Sequence, residues 1–529
     1  MSRLRIIAIN DVYSLENLPR LRTLVQHHRA TDPADLMIVT LAGDFVAPSI
    51  LSSLDSGAGM VDCMIMVGVT HAIFGNHEDD IPTDALRRRI AELATGGVAW
   101  ISTNVAFQPP LAKSQVLTVG RVRVGLVGVV MTDPTTYRRV PFGGAAMTSA
   151  NLAARMEADR LVREEGCACV IPITHQTLAE DRALALEQRD PIFPVIVGGH
   201  EHMVVLEELD GTWLVKAAVD ALHAAVIDLA WPADAPSSAG TTIDAPKVSV
   251  RIEDVADYAE DPTLRARVNH HLLAVRELET ATLMTVAPGA LLSSIGTRKR
   301  QTSIGTLFCS AVREALGAAG CLINGGGIRG SREYRSRLTY GDLKTEVPFD
   351  NEVVVVELPG RVLRDAVTAS RAAAPVESGS FLQIDDRMIV DADGVVTMVS
   401  GQPLELDRDY RVAMIRNLLT GLDHIEPLAR WAREHPEKVP PLGCGREPKQ
   451  ILVDAFSISL WRAMGGFDVV DTDGDGMVTE AEIFAAVARV TKEVGSHITT
   501  GLIIRTLDTN QDNVISREEG ARGDVPSTE

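Results

Sequence analysis

The sequence predicts an α/β protein made of two α/β domains and a small all-α tail, and three observations lead to this prediction. Short apolar runs alternate with helical patterns over residues 4–230. A second alternation of the same kind extends from about residue 287 to about residue 448. Residues 449–529 contain two acidic loop patterns instead of such strands. With 529 residues, the chain is also long enough for several hydrophobic cores.

The strands and helices of the first domain follow from the spacing of its apolar residues. Continuous apolar runs at 36–41, 122–129 and 169–173 are typical of strands in the core of a sheet. Apolar residues at helical spacing over 18–28 and 149–164 predict helices between such strands. In an open α/β sheet, ligands bind at the carboxyl ends of the strands, so we expect functional residues there.

The rest of the chain divides at changes of composition. Residues 261–285 have helical periodicity, many charges and no Gly or Pro after Pro262, and they predict a connecting helix. Residues 232–247 are rich in Pro, Ala, Ser, Gly and Thr and predict a loop between two late strands. Apolar runs at 321–324 and 353–358 predict strands of the second domain. The predicted boundaries are 1–260 for the first domain, 261–286 for the connecting helix, 287–448 for the second domain and 449–529 for the tail.

The charge of the chain argues against two classes of partner. Its formal net charge is −20, whereas proteins that bind nucleic acid or acidic membranes through charge carry basic patches. We therefore expect no nucleic-acid partner and no membrane partner. No stretch has the apolar core of a signal peptide or the roughly 20 apolar residues of a membrane-spanning helix. These features predict a cytoplasmic protein.

Residue types that bind metals follow the predicted strands of the first domain. They occur in the motifs Ile-Asn-Asp at 9–11, Ala-Gly-Asp at 42–44, Gly-Asn-His-Glu at 75–78 and Gly-Gly-His-Glu-His at 198–202, with His175 between the last two. Carboxylates, an amide and several imidazoles can hold two metal ions roughly 3.5–4 Å apart, the separation used for in-line displacement at phosphorus. The sequence therefore predicts a centre of two divalent or mixed-valence ions (Mn, Zn, Co or Fe), whose identity stays open.

The order of these motifs resembles the 5′-nucleotidase branch of the calcineurin-like metallophosphoesterases, over about residues 4–430. The resemblance implies a four-layer catalytic domain with two metals and a C-terminal domain that binds the organic part of the substrate. It also implies a role for each motif residue: Asp11 and His202 would bind the first metal, Asp44 would bridge, Asn76, His175 and His200 would bind the second, and His77 would face the phosphate with Asp80 behind it.

One residue departs from the pattern of this family, whose first motif is Asp-X-His. Here the motif reads Asp11-Val12-Tyr13, and tyrosine is a poor ligand for zinc or magnesium because its free pKa is near 10. Three interpretations are open. Tyr13 turns away and leaves a weaker first metal site, or it ligates as a phenolate and favours a harder ion, or the site is damaged.

The second domain carries motifs that resemble the substrate-binding motifs of the same family. By this resemblance, Asn324 and Arg329 in Asn-Gly-Gly-Gly-Ile-Arg are substrate-binding residues, and Phe381 is one of two rings that clamp a base. The segment 417–424, expected to give the second ring, contains no Phe or Tyr. Because one ring of an aromatic pair contributes about 0.5–1.5 kcal/mol, a sugar phosphate rivals a nucleotide as the substrate. Phe381 also fits a role in the hydrophobic core.

The tail contains two patterns typical of the twelve-residue calcium loop of an EF-hand. The expected calcium ligands are Asp471, Asp473, Asp475, Met477 and Glu482 in the first loop and Asp508, Asn510, Asp512, Val514 and Glu519 in the second. Asn513 stands where glycine supports the turn, and Asn tolerates the positive φ needed there. We therefore expect a pair of EF-hands that binds Ca²⁺, more weakly in the second loop.

Two functions from different classes follow. The first is hydrolysis of a small phosphomonoester by metal-bound hydroxide, with a calcium-binding tail beside it. The second is a phosphatase-like scaffold, inactive through Tyr13, that senses calcium and binds a protein partner through the tail. An apolar groove after the first loop could take such a partner, although packing of these side chains within the pair is the default.

Overall fold

The structure is a computed structural model that describes residues 2–137, 140–187, 192–232, 245–349, 351–491, 496–510 and 512–524. These residues form two compact units, Met1–Leu273 and Ala274–Glu529. Most of the predicted loop at 232–247 lies outside the described residues, because the gap at 233–244 falls within it. None of the described helices has both the length and the apolar character needed to cross a membrane.

The described part of the first unit contains two six-stranded sheets that share one core. Their strands are β1 (Ser2–Ile9), β2 (Leu36–Leu41), β3 (His71–Ala72), β4 (Ala99–Trp100), β5 (Ser114–Val119), β6 (Val122–Val130), β7 (Cys169–His175), β8 (Val195–Gly199), β9 (Val204–Leu209), β10 (Thr212–Ala217), β11 (His223–Trp231) and β12 (Lys247–Asp254). The order is β12-β11-β1-β2-β3-β4 in the first sheet and β5-β6-β7-β8-β10-β9 in the second. Ile6 and Ile38 of the first sheet pack with Leu126 and Ile173 of the second.

Helices cover the outer faces of both sheets. They are α1 (Leu18–Thr31), α2 (Ile50–Asp55), α3 (Ala58–Val67), α4 (Thr83–Thr95), α5 (Ala150–Glu165), α6 (Leu178–Leu186) and α7 (Pro262–His271). Leu161 of α5 and Leu184 of α6 pack against Val170 of β7. On the first sheet, Val39 faces away from the shared core and is nevertheless fully buried, and α1, α3 and α7 contact one another. The unit is layered as helices, sheet, sheet, helices.

The second unit is a smaller α/β structure followed by the tail. Its elements up to the tail are α8 (Leu273–Thr280), β13 (Thr282–Thr285), β14 (Leu292–Ser293), α9 (Ser303–Ala315), β15 (Gly320–Asn324), β16 (Glu333–Tyr334), β17 (Arg337–Thr339), α10 (Tyr340–Glu346), β18 (Val353–Pro359), α11 (Gly360–Arg371), β19 (Leu382–Ile384), β20 (Ile389–Val390), β21 (Val396–Val399), β22 (Gln402–Pro403), β23 (Asp409–Ile415), α12 (Glu426–Glu434) and α13 (Pro448–Ala463). The main sheet has the order β18-β23-β15-β19, and α9 packs on β15 and β19.

The tail consists of two helix–loop–helix segments joined by a short strand pair. Its elements are α14 (Phe467–Val470), β24 (Met477–Val478), α15 (Glu480–Thr491), α16 (His497–Leu507), β25 (Ile515–Ser516) and α17 (Arg517–Asp524). The antiparallel pairing of Met477 with Ser516 and of Val478 with Ile515 links the two acidic loops, so the tail is not purely helical. Ile483, like Val478 and Ile515, is buried in the core of the tail.

The predicted elements and the observed ones differ mainly at their ends. The strands predicted at 36–41, 122–129 and 169–173 are present as β2, β6 and β7. The helix predicted over 261–285 is instead two helices, α7 and α8, which are separated at Leu272 and followed by β13. Charge and the absence of Gly and Pro did not reveal this break, because nothing local in that segment stops a helix.

Candidate active site

Strands of both sheets bring the predicted metal ligands to one place. Asp11 follows β1, Asp44 follows β2, and Asn76 comes shortly after β3, the next strand of the same sheet. In the second sheet, His175 is the last residue of β7 and His200 directly follows β8. One ligand atom each of Asp11, Asp44 and His175 lies within 4.8 Å of the other two. The carboxyl ends of the strands therefore assemble a cluster from segments far apart in the sequence.

Three of these residues have a left-handed backbone. The φ angle is 51° at Asp11, 55° at Asp44 and 85° at His200. For residues other than Gly this conformation costs on the order of 1–3 kcal/mol, and it persists where the surroundings enforce it, most often at functional sites. A side chain at Gly75 would collide with the Asp44 carboxylate, so glycine is needed where these two turns meet.

His175, Asp44 and Asn76 form the first half of the cluster. His175 Nε2 lies 3.1 Å from Asp44 Oδ2 and 3.2 Å from Asn76 Oδ1. The other ring nitrogen, Nδ1, lies 2.8 Å from the Ala42 carbonyl oxygen, which fixes the orientation of the ring. Burial lowers the pKa of His175, but the Asp44 and Asp11 carboxylates outweigh it and raise this pKa to about 10. The cluster therefore attracts positive charge.

His200 supplies a donor atom that the described residues leave unused. Its side chain is buried, and Nε2 has no hydrogen-bond partner among the described residues. Burial and the neighbouring His175 lower the pKa of His200 to about 3, so its imidazole is neutral. A buried nitrogen without a partner is costly unless a ligand satisfies it. Together with Asp44, Asn76 and His175, it makes a donor set that fits a divalent metal ion.

Tyr13 points into the position expected for the first metal. Its hydroxyl oxygen lies 3.3 Å from Asp11 Oδ1, 3.2 Å from Asp44 Oδ2 and 3.2 Å from His202 Nε2. His202 Nε2 is itself 3.5 Å from Asp11 Oδ1. The interpretation in which Tyr13 turns away is therefore wrong, because hydrogen bonds to two buried carboxylates hold the phenol in the cluster. Burial and the two carboxylates raise the pKa of its hydroxyl well above the usual value.

His77 and Asp80 form the predicted His–Asp pair. His77 Nδ1 lies 2.7 Å from Asp80 Oδ2, and both side chains are largely buried. The main-chain N–H of His77 donates to Asp44 Oδ1 at 2.8 Å, which ties the pair to the metal cluster. The ring is therefore held in one orientation at the edge of the cluster. Its role toward a phosphate stays a prediction.

Glu78 is a residue of the site that sequence reasoning missed. Its fully buried carboxylate accepts hydrogen bonds from the main-chain N–H groups of Asp44, Phe45, Val46 and Gly75. Burial and the nearby Asp44 carboxylate raise its pKa to about 7. Glu78 thus holds the Asp44 turn against the Gly75 turn. The residue was visible in its motif, but three of its four hydrogen-bond donors lie more than thirty residues away along the chain and cannot be read from the sequence.

In the second unit, Asn324 and Arg329 lie near an apolar cavity. The side chain of Asn324 is buried, and its Oδ1 has no hydrogen-bond partner among the described residues, while its Nδ2 donates to Asp423 Oδ2 at 2.6 Å. The cavity is lined by Asn324, Phe349 and Leu452 among others. The Arg329 guanidinium lies over the Phe349 ring, 5.2 Å from its centroid.

Phe381 does not present the free ring face that was expected of it. Its side chain is only 4% exposed, and the Arg371 guanidinium lies 4.9 Å from the ring centroid. The exposed aromatic ring in this region is instead Phe349, whose exposure is 40%. Sequence reasoning missed Phe349 as a site residue, because the sequence does not show whether the ring of Phe349 or that of Phe381 is exposed to solvent.

The acidic loops of the tail place their predicted ligands side by side. The carboxylates of Asp471, Asp473 and Asp475 lie within 4.8 Å of one another. Glu482 accepts hydrogen bonds from the main chain and side chains of Thr472 and Thr479. Although burial opposes it, these bonds lower the pKa of Glu482 to about 2.

The second loop repeats this arrangement with Glu519. Its carboxylate accepts from Thr509 and Ser516, and these bonds lower its pKa to about 2 against the effect of burial. Asn513 has a φ of 65°, the left-handed conformation expected at its position. The remaining predicted ligands, Asp508, Asn510, Asp512 and the main chain of Val514, surround this turn.

Comparison with known proteins finds a family match within each unit. Residues 4–204 match the calcineurin-like phosphoesterase family, and residues 280–430 match the 5′-nucleotidase C-terminal domain. The 5′-nucleotidase of Homo sapiens is 24% identical over 468 residues, which cover 78% of this chain and 79% of that protein. Endonuclease YhcR of Bacillus subtilis is 26% identical over 365 residues, which are 63% of this chain and only 28% of that protein.

The fold agrees with these matches. The structure of the NAD nucleotidase NadN from Haemophilus influenzae aligns with a TM-score of 0.62 at 14% identity and covers 86% of this chain and 95% of that one. The matched families end at residue 430 and leave the tail unassigned. Calcineurin-like phosphoesterases use a centre of two divalent metals, and the donor cluster of the first unit contains residue types that bind such ions. With one region that matches calcineurin-like phosphoesterases and another that matches the 5′-nucleotidase C-terminal domain, the chain is similar to 5′-nucleotidases, and it is a phosphoric ester hydrolase.

Proposed function

We propose that the chain releases phosphate from a small phosphomonoester at a two-metal centre in its first unit. The observation that carries this proposal is that Nε2 of the buried His200 has no hydrogen-bond partner among the described residues. This nitrogen lies in one cluster with Asp44, Asn76 and His175. A purely structural histidine at this depth would normally have a hydrogen-bond partner. In this proposal, these four residues hold one ion, and Asp11, His202 and the shared Asp44 hold the other.

The ions would supply positive charge for the phosphoryl oxygens and make water acidic enough to act as a nucleophile near neutral pH. The protein's own contribution is to hold His77 in place beside the phosphate and to move a proton. His77 is fixed by Asp80 on one ring nitrogen, so the other nitrogen can donate a hydrogen bond to the phosphate or a proton to the leaving oxygen.

Tyr13 is part of this proposal as a ligand. The distances of 3.2–3.3 Å between its oxygen and three other donor atoms are those between neighbouring ligands of one ion at metal–donor distances of ~2.0–2.2 Å. A phenol oxygen among two carboxylates and one imidazole favours a harder ion than the second position does. We therefore infer that the two positions differ in metal preference.

The substrate is proposed to be a nucleotide or a sugar phosphate. Arg329 offers a planar fork for a carboxylate or phosphate. Asn324 Oδ1, which has no partner among the residues that the structure describes, can accept a hydrogen bond from the substrate. Phe349 supplies one exposed ring beside them, and the buried Phe381 supplies none. A single ring still permits a base to stack, with about 0.5–1.5 kcal/mol less than a pair would contribute.

In the tail, we propose that each loop binds one Ca²⁺. Three carboxylates lie close together in the first loop, and the charge of such a cluster is compensated best by a hard cation with oxygen ligands. Ile483 is buried within the tail, which favours a structural role for calcium over the exposure of a partner-binding groove.

Phosphate release from metal-defined protein tests the proposed activity. Nucleoside monophosphates, sugar phosphates, cyclic nucleotides and nucleotide diphosphate sugars would be compared with Mn²⁺, Zn²⁺, Co²⁺ or iron present. Turnover should fall by at least about 100-fold in Asp44→Asn, because the Asp44 carboxylate contacts both Tyr13 and His175, which belong to the two proposed metal positions. If none of the metals supports release from any ester, the scaffold interpretation replaces the hydrolase.

A further inference from the structure

Lys216 is a buried cation just beneath the metal cluster. Its side chain is fully buried within β10, and its ammonium nitrogen carries three N–H groups. These donate to the Gln176 carbonyl at 2.9 Å, to the Gly199 carbonyl at 2.7 Å and to the Glu201 carboxylate. Asp181 Oδ2 lies 2.7 Å from the same nitrogen and adds a second negative charge. Lys216 therefore uses every donor it has.

The two carbonyl acceptors are the chain neighbours of metal-cluster residues. Gln176 directly follows His175, and Gly199 directly precedes His200. One ammonium group therefore joins the ends of β7 and β8 at the points where these imidazoles leave the sheet. A shift of either loop would break one of the two hydrogen bonds.

The carboxylate acceptor extends the same connection. Glu201 stands between His200 and His202 in the chain. Besides Lys216, it accepts a hydrogen bond at 2.6 Å from the main-chain N–H of Leu178, the first residue of α6. The loop with the two histidines is thus fastened to a helix as well as to a strand.

The sequence provides the space for this lysine. Lys216 is paired with Gly198 in the register of β10 and β8. A Cβ atom at position 198 would lie 2.8 Å from Lys216 Cε and 3.1 Å from Asp181 Oδ2. Any side chain there would push the lysine stem away from its acceptors. A lysine in an otherwise apolar buried strand is the one signal in the sequence that marks this arrangement.

We propose that Lys216 is a positioning residue of the metal centre, which holds the main chain beside His175 and His200 so that both imidazoles meet the same ion. The inference rests on the proposed function. Groups behind the ligands of a metal orient them, and their loss usually costs 10–100-fold in metal affinity. Glu201 and Asp181 balance the charge of the lysine, so these three side chains form a buried ion network. Removing one charge of this network would leave the others unbalanced and destabilise the fold.

The test is direct binding of Co²⁺, measured by its visible spectrum and by chelator competition, with Ca²⁺ present throughout to occupy the tail. We expect Lys216→Met to bind Co²⁺ roughly 10–100-fold more weakly than the wild type, with an altered ligand-field spectrum. Because the single variant leaves two buried carboxylates unbalanced, the neutral variant Lys216→Met/Asp181→Asn/Glu201→Gln is measured beside it. This variant removes the unpaired charge but still lacks both hydrogen bonds to the carbonyls, so it should fold and still bind Co²⁺ weakly.

Arg182→Met is the matched control. Arg182 neighbours Asp181 on α6 and pairs with Glu207 of β9 at the surface, so its loss should leave Co²⁺ affinity within about twofold of the wild type. Wild-type affinity and spectrum in the folded neutral variant would overturn the inference and leave the proposed function intact. Absence of Co²⁺ binding in the wild type would overturn both.

Discussion

The metal cluster of the first unit and the acidic loops of the tail use similar ligands but very different lengths of chain. Asp11 and His200 touch through a hydrogen bond across 189 positions, and their partners come from two sheets. The first tail loop has all its predicted ligands between Asp471 and Glu482. The cluster is therefore a product of the whole fold, whereas each loop is shaped by local turns. A substitution that destabilises the first unit should therefore disrupt its metal cluster and leave the loops of the tail unchanged.

Each site contains a glutamate that accepts several hydrogen bonds, and the two glutamates differ in burial. Glu78 and Glu482 each accept four hydrogen bonds, but Glu78 is fully buried and Glu482 is half-buried. We expect Glu78→Gln to destabilise the first unit by about 3 kcal/mol, because an amide leaves buried N–H donors without acceptors. Phosphate release should also fall at least about tenfold. Urea unfolding and turnover would be measured together.

Glu482→Gln is the matched substitution in the tail. Water can satisfy the donors that lose their acceptor there, so without calcium the loss should stay below about 1 kcal/mol, and turnover should be unchanged. Equal losses of stability in the two variants would contradict the distinction between a global and a local site.

Removal of calcium should act on the tail alone. If free Ca²⁺ is about 100 times the dissociation constant, chelation removes about 2.7 kcal/mol of stability from the tail. Differential scanning calorimetry with and without a calcium-selective chelator should show one transition moving down while that of the first unit stays in place. An unchanged profile would mean that the loops bind no calcium.

Substitution of Tyr13 tests the first metal position within the cluster. Tyr13→His replaces a phenol oxygen by an imidazole nitrogen, so the affinity for Zn²⁺ or Mn²⁺ should rise by about tenfold, or about 1.4 kcal/mol. Tyr13→Phe keeps the ring and removes the ligand oxygen, and it serves as the control. Metal content after dialysis measures both. Wild-type metal content in Tyr13→His would mean that position 13 is no ligand.

The last prediction concerns the pH dependence of stability and a carboxylate outside both sites, that of Glu253. Hydrogen bonds from Tyr258, His28 and Arg251 lower the pKa of Glu253 from 4.5 to about 2, although burial opposes this. A lowered pKa adds stability that is present above pH 4.5 and is lost as the pH falls toward 2. Tyr258→Phe should therefore cost about 1 kcal/mol at pH 7 and less at pH 3. A cost that grows at low pH would contradict this assignment.

The sequence predicted which side chains come together in each cluster, but not the contacts that hold them there. Asp11, Asp44 and His200 were predictable because the ends of buried strands are visible as apolar runs followed by polar motifs. The orientation of Tyr13 was not, because it depends on hydrogen bonds to carboxylates at the ends of other strands. Phe381 was misassigned for a similar reason, since only the packing of Arg371 shows that its face is covered.

One helix of the second unit has consequences for how the chain can be shortened. Leu452 of α13 lines the cavity beside Asn324, and Phe456 on the next turn packs near Phe308 of α9. One turn further on, Leu460 and Trp461 belong to the core of the tail. A truncation after α13 would therefore leave a tryptophan in water on a helix that also forms a wall of the cavity. The tail and the second unit's cavity thus share one helix, and a tag or fusion partner is better attached after the tail than in place of it.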